Sequence, residues 1–267
     1  MTVFQALVLG VLQGLTEFLP VSSSAHLALA PWLFGWQDPG LAFDVALHFG
    51  TLVAVLWYFR KEWGELVAAA ISILRKRRVE TVEEKRVVFL ILATIPGAIG
   101  GLLLQKKAET AFRAPALTAT ALIVMGIVLW ATDRFSQKAR ELPAMRGVDA
   151  LLIGLSQVFA LIPGVSRSGA TITAGRLRKF DRQSAAVFSF LMSMPIIAAA
   201  VVLEGPKALH SGALAPELIV GVIASGISGW LAISILLRYV TRHSFGIFAV
   251  YRILLGIVVF AVLYSRG

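Results

Sequence analysis

The chain has 267 residues, 58% of them hydrophobic, with a mean hydropathy of +0.81, too apolar for an ordinary soluble domain and explained by burial in a bilayer. Its net charge of +10 does not point to nucleic acid: no Lys or Arg precedes Arg60, most of the others fall between apolar runs, and aromatics are not interleaved with a basic stripe. The absence of cysteine excludes disulfides, thiol catalysis and cysteine-ligated metals.

The N-terminus lacks a basic region and a small-residue cleavage site, so it does not read as a cleaved signal peptide. The first apolar run, Val3 to Phe18, stops at Leu19-Pro20, and a second short run spans His26 to Phe34. Between them lies QGLTEFLPVSSSAH, Gln13 to His26, which places a carboxylate, three hydroxyls and an imidazole in otherwise apolar sequence. Polar groups are expensive in lipid, so such a cluster is a functional site by default. Two half-length helices meeting at a polar turn predict a re-entrant hairpin.

Six longer runs follow, each near the roughly 20 residues that span a bilayer: about 41–59, 87–104, 115–132, 184–203, 218–237 and 245–264. Trp63–Leu74 is expected to lie in the interface. Between the third and fourth spans, Val148–Ile162 is interrupted by Pro163-Gly164-Val165-Ser166-Arg167-Ser168-Gly169, which predicts a second re-entrant hairpin. Its second half-helix would start after Ser166, with free N–H groups beside Arg167.

An offset of 144 relates the two interrupted segments: Gly10 matches Gly154, Gln13 matches Gln157, Ser22 matches Ser166 and Ser24 matches Ser168. The expected fold is therefore one all-α integral membrane domain over residues 1–267, an inverted-topology repeat. Each half is one re-entrant hairpin plus three transmembrane helices, with repeat 1 about 1–135 and repeat 2 about 147–267. Eighteen of the 25 basic residues fall on one side of this topology and five on the other, with Arg167 and Arg252 inside. The positive-inside rule puts both termini outside and opens the first hairpin to the outer face.

Gln13 and Glu17 share one helix face and suit Mg²⁺ or Ca²⁺, with water and substrate phosphate completing the shell. Alternatively Glu17 acts as a base or pairs with Arg167. Ser23 and His26 meet if the turn leads into a helix, and His26 can then activate the serine or protonate a leaving oxygen. A histidine satisfied by a nearby carbonyl is the plainer alternative. Arg167 offers a planar fork matched to phosphate oxygens; with Ser22, Ser24, Gly164, Ser166 and Ser168 it forms the expected phosphate-binding set. Asp44 and His48, four residues apart, support the site's ligands from behind, route protons, or satisfy each other. Arg252 is expected to snorkel or to cap the Arg238–Arg242 loop.

QGLTEFLPVSSSAH together with PGVSRSGATITAG closely resembles the signature pair of the bacterial undecaprenyl-pyrophosphate phosphatase family, also called the bacitracin-resistance protein family, and the resemblance runs essentially end to end. It implies a multi-pass hydrolase of the bacterial plasma membrane, its site open to the periplasmic face, that converts a polyprenyl pyrophosphate to the monophosphate and so recycles the lipid carrier of cell-wall synthesis. It also implies a divalent cation, with the motif glutamine and glutamate at Gln13 and Glu17, the serine turn at Ser22 and Ser23, the histidine at His26 and the essential arginine at Arg167. Two departures stand out: the first motif position is glutamine, and the turn reads SSSAH where many members have SSTGH. A homodimer stays open. Among competing classes, a transporter or lipid flippase shares the inverted-repeat architecture, but Glu17, Ser23 and His26 have no counterparts in the second half, and an asymmetric site suits chemistry better.

Overall fold

Proline and positive-φ residues end helices where the chain must turn back. In the computed structural model, which describes residues 1–109, 114–137, 140–210 and 216–266, α1 (Val3–Phe18) stops before Pro20 and α2 (Ser23–Phe34) runs back from it. The second turn follows α7 (Gly147–Ser156) and a 3-10 segment (Gln157–Leu161), and α8 (Arg167–Leu177) returns. At both turns the N-cap is a serine in the left-handed region: Ser22 with φ 77° and Ser166 with φ 71°. A non-glycine residue is uncommon there and needs support from its surroundings.

The remaining helices are α3 (Leu41–Tyr58), α4 (Arg60–Lys76), α5 (Val82–Glu109), α6 (Pro115–Phe135), α9 (Arg182–His210), α10 (Pro216–Val240) and α11 (Gly246–Arg266). Five of them, α5, α6, α9, α10 and α11, are long and apolar enough to cross a membrane. A sixth is counted when α3 is joined to α4, which leaves it at an 81° bend. The expected run at 41–59 is thus a helix, counted as a span only together with its bent continuation. α4 buries Leu66 and Ala69 and exposes Leu74, as an interface-lying helix does. Outward-facing apolar residues such as Leu103 (78% exposed), Ile235 (60%) and Ile91 (58%) form a surface that lipid can solvate and water would not.

Small residues let the helices approach closely. α1 packs on α10, and a Cβ added at Gly10 would strike the Gly221 carbonyl. α7 packs on α5, and a Cβ at Gly154 would strike the Ala93 carbonyl. This is the usual way helices associate in lipid, where apolar burial gives little drive. α3 lies against α9 and α10, and α6 against α11. Phe18 at the end of α1 meets Phe190 of α9 edge-on at 5.4 Å between ring centroids, and Phe190 meets Phe59 at 6.4 Å. This wedge fixes the level at which Glu17 sits.

Two buried carboxylates tie down the ends of the second hairpin. Asp133 of α6 accepts from Arg176 Nε at 3.0 Å, Arg182 Nε at 2.8 Å and the Phe245 N–H at 3.0 Å. Asp149 of α7 accepts from Arg140 at 2.7 Å, Arg178 at 2.7 Å and the Arg146 N–H at 3.0 Å. Charges this deep persist only when their hydrogen-bonding capacity is met in this way.

Candidate active site

Both helix turns bring their N-caps to one cavity of about 260 Å³, lined by Glu17, Ser22, Ser23, Ser24, His48, Ser166 and Arg167, with Gln157 and apolar residues behind them. The turns are stitched together: the Gly164 N–H donates to Ser22 Oγ at 3.1 Å, and Ser168 Oγ donates to the Leu19 carbonyl at 3.0 Å. Each serine cap also holds its own helix, Ser22 Oγ accepting from the Ala25 N–H and Ser166 Oγ from the Gly169 N–H. Ser22 and Ser24 hydroxyls lie 3.3 Å apart, and those of Ser166 and Ser168 3.1 Å apart. Gly164 has φ 97° and no room for a side chain, since a Cβ would strike the Thr118 carbonyl.

Glu17 is the hub. Its Oε1 accepts from Arg167 Nη2 at 3.1 Å, and its Oε2 accepts from Ser23 Oγ at 2.6 Å and Gln13 Nε2 at 3.1 Å. His48 Nε2 lies 3.6 Å from the same Oε2. Arg167 is anchored a second time by donating to the Ser189 carbonyl at 3.1 Å. The carboxylate from one hairpin and the guanidinium from the other therefore form a single charge pair inside apolar helices.

His48 belongs to this site through its side chain, and its Nδ1 donates to the Asp44 backbone carbonyl at 2.7 Å. Asp44 supports it by that carbonyl, and its side chain is not among those lining the cavity. His26 sits elsewhere than beside Ser23. Its Nδ1 donates to the Ser22 carbonyl at 2.7 Å, and its Nε2 lies 2.7 Å from the Tyr251 hydroxyl, which donates to it, with the two rings stacked at 5.7 Å. It holds the carbonyl of the residue that caps α2, and Ser23 turns to Glu17 instead.

Arg252 corrects an expectation. It does not snorkel or reach the Arg238–Arg242 loop; it is fully buried and donates to the Pro20 carbonyl at 3.0 Å, the Gly164 carbonyl at 2.6 Å and the Val165 carbonyl at 2.9 Å. One guanidinium thus grips both turns, and Gly169 leaves the space that its Nη1 passes through. Snorkelling was expected from its place on an apolar helix; the carbonyls freed where two helices break satisfy it instead.

Among the described residues no cluster of three or more His, Cys, Asp or Glu is present, so a cation here would rest on one carboxylate with neutral oxygens. Gln13 offers one. It is fully buried, and because its Nε2 donates to Glu17, its Oε1 is left without a hydrogen-bond partner. An orphaned amide oxygen beside a carboxylate and a serine hydroxyl fits a hard cation.

The family model described as bacitracin resistance protein BacA matches residues 6–258. The chain belongs to that family. It is 65% identical, over 100% of both chains, to an undecaprenyl-diphosphatase of Gemmatimonas aurantiaca. It is 50% identical to undecaprenyl-diphosphatases of Desulforudis audaxviator and Moorella thermoacetica, again over 100% of both chains. With its apolar helices, this BacA chain is a multi-pass membrane protein.

Sequence reasoning missed three residues of this site. Gln157 lines the cavity and donates to the Ala93 carbonyl at 2.7 Å; its match to Gln13 across the repeat was the available signal. Arg252, on an apolar helix, reads as a snorkelling residue and is instead held by both turns. Tyr251 gave no signal, since a tyrosine on an apolar helix reads as an interface anchor. Tyr251→Phe removes one neutral donor to His26, and kcat is expected to fall by roughly tenfold or less, the effect of about 1 kcal/mol, as measured by phosphate release with KM little changed.

Proposed function

We infer that this protein hydrolyses undecaprenyl diphosphate to undecaprenyl phosphate and inorganic phosphate, recycling the lipid carrier for cell-wall synthesis and giving bacitracin resistance. The observation that carries the chemistry is the Glu17–Ser23–Arg167 constellation, in which both hairpin turns converge on one carboxylate. The terminal phosphate enters between the N-termini of α2 and α8, where first-turn N–H groups and Arg167 offset its charge. Phosphoryl transfer asks mainly for positioning and charge stabilisation, which this arrangement supplies.

Ser23 is the nucleophile in this reading, and Glu17, at hydrogen-bond distance, takes its proton. The Ser23 Oγ–P bond forms as the bridging P–O bond breaks, and undecaprenyl phosphate leaves. Water then attacks the phosphoserine, the Oγ–P bond breaks, Glu17 returns the proton to Ser23, and both water protons leave on inorganic phosphate. His26 keeps the Ser22 turn in shape, and His48 holds the far side of Glu17. Glu17 and Gln13, with the Ser23 hydroxyl, would hold a divalent cation, Mg²⁺ or Ca²⁺. Such an ion supplies Lewis-acid neutralisation of phosphate charge.

The fold reading is a pair of inverted repeats, each a re-entrant hairpin plus three spans. It is supported by the paired positive-φ serine caps and by the reciprocal packing of α1 on α10 and α7 on α5. The charge bias supports placing it in the bacterial plasma membrane with the site open to the outer face. All groups named lie in one chain, so the reading needs no second copy.

The test is phosphate release from undecaprenyl diphosphate by detergent-purified protein, with Mg²⁺, with Ca²⁺ and with chelator. Metal-dependent release is expected, and Ser23→Ala is expected to lower it by about 10²-fold or more, the scale of losing a positioned catalytic group. No release from folded protein under either metal would overturn the hydrolase. Near-full turnover by Ser23→Ala would leave the hydrolase standing and remove the phosphoserine.

A further inference from the structure

The headgroup cavity takes its apolar lining from Gly97 of α5 and Ile196, Ile197 and Ala200 of α9, and from Ala160 and Leu161 of the 3-10 segment. Immediately along both helices a second cavity of about 340 Å³ begins, with Ala98 next to Gly97 and Pro195 next to Ile196. It continues along α5 through Ile95 and Ile91 and is closed by Trp63 and Leu66 of α4. Thr94 contributes the one hydroxyl on its α5 wall, already donated to the Leu90 carbonyl at 2.7 Å. The same two helices, α5 and α9, thus line both cavities, and the chemistry changes from polar to apolar at the level of Gly97.

We propose that this α4–α5–α9 groove binds the polyprenyl tail of the substrate, taking the isoprene units that follow those inside the headgroup cavity. The proposal rests on the diphosphatase reading above. A prenyl diphosphate held with its phosphates at Arg167 and Ser23 must send its chain out through an apolar wall. Of the apolar lining, Ala160 and Leu161 belong to the second hairpin itself, and the α5–α9 side is the one that continues into the second apolar cavity. Gly97 keeps that side low, and its missing side chain also admits the Gln157 amide, whose Cδ would lie 2.5 Å from an added Cβ. A second surface groove of about 330 Å³, lined by Val53, Trp57, Gly226 and Ile227, is as apolar but lies on α3 and α10, with no lining residue on α5 or α9. It is the internal control for ordinary lipid contact.

Ala98→Trp fills the groove from its exposed edge, and Ile227→Trp fills the control groove. For Ala98→Trp, kcat/KM for undecaprenyl diphosphate is expected to fall by roughly tenfold, carried by KM, the scale of losing one apolar subsite contact. Geranyl diphosphate, whose short chain ends inside the headgroup cavity, is expected to be hydrolysed as by wild type. Ile227→Trp is expected to change neither substrate. An equal loss on both substrates, no loss on either, or the same loss from Ile227→Trp would overturn the proposal. As a readout independent of turnover, an undecaprenyl diphosphate analogue with a mid-chain diazirine should label α4 or α5 of the wild-type protein on irradiation. Labelling confined to the α3–α10 groove would equally overturn it. Wild-type release of phosphate in the same assay separates failure of the groove from failure of the diphosphatase reading.

Discussion

Replacing Arg167 with alanine is expected to lower kcat by about 10²- to 10³-fold, the cost of removing one preorganised donor to transition-state charge. Lysine should recover little of this. Arg167 spends one nitrogen on Glu17 and another on the Ser189 carbonyl, 3.1 Å from each. A planar fork can hold both anchors while presenting its remaining N–H groups to phosphate; an ammonium cannot. Steady-state phosphate release on Arg167→Ala and Arg167→Lys decides between this and a simple charge requirement. If lysine restored most of the activity, the guanidinium geometry would not matter. The loss should appear in kcat more than in KM, since the charge it meets grows toward the transition state.

Glu17→Gln is expected to cost about 10³-fold in kcat, within the range for a positioned base. The amide keeps the shape but cannot take the Ser23 proton, and it leaves Arg167 without its counter-charge. Folding should survive better than in Glu17→Ala, because the glutamine oxygen still accepts from Arg167 or Ser23. The check is kinetic and spectroscopic together: helical content and elution unchanged, turnover lost. Activity within tenfold of wild type would mean that water or another group deprotonates the serine, and that Glu17 serves mainly to hold Arg167.

Much of this site is legible in the sequence. Pro20 and Pro163-Gly164 mark breaks because neither sequence can continue a helix, and the serines after them are cap residues by type. Gln13 and Glu17 share a face by spacing, and they do meet, at 3.1 Å. The long apolar runs became α5, α6, α9, α10 and α11 with modest end shifts. What resisted reading was tertiary. The Ser23–His26 spacing allows a contact, but the positive φ at Ser22 turns the imidazole onto the Ser22 carbonyl and Tyr251. Tyr251 lies 225 residues from His26, and nothing local to either predicts that they touch. His48 is readable as polar on an apolar helix, but only packing of α3 beside α1 brings it to Glu17.

The grip of Arg252 on both turns has an electrostatic consequence. Its partners are backbone carbonyls, which satisfy its hydrogen bonds but carry no net charge, and it takes part in none of the ion pairs described. The hairpin junction therefore contains two guanidinium groups and one carboxylate, a surplus of one positive charge in a poorly screened medium. The ligand-free junction is thus a standing electrostatic trap for a polyanion, and anything carrying phosphate, product included, helps hold the two halves of the molecule together while it is bound.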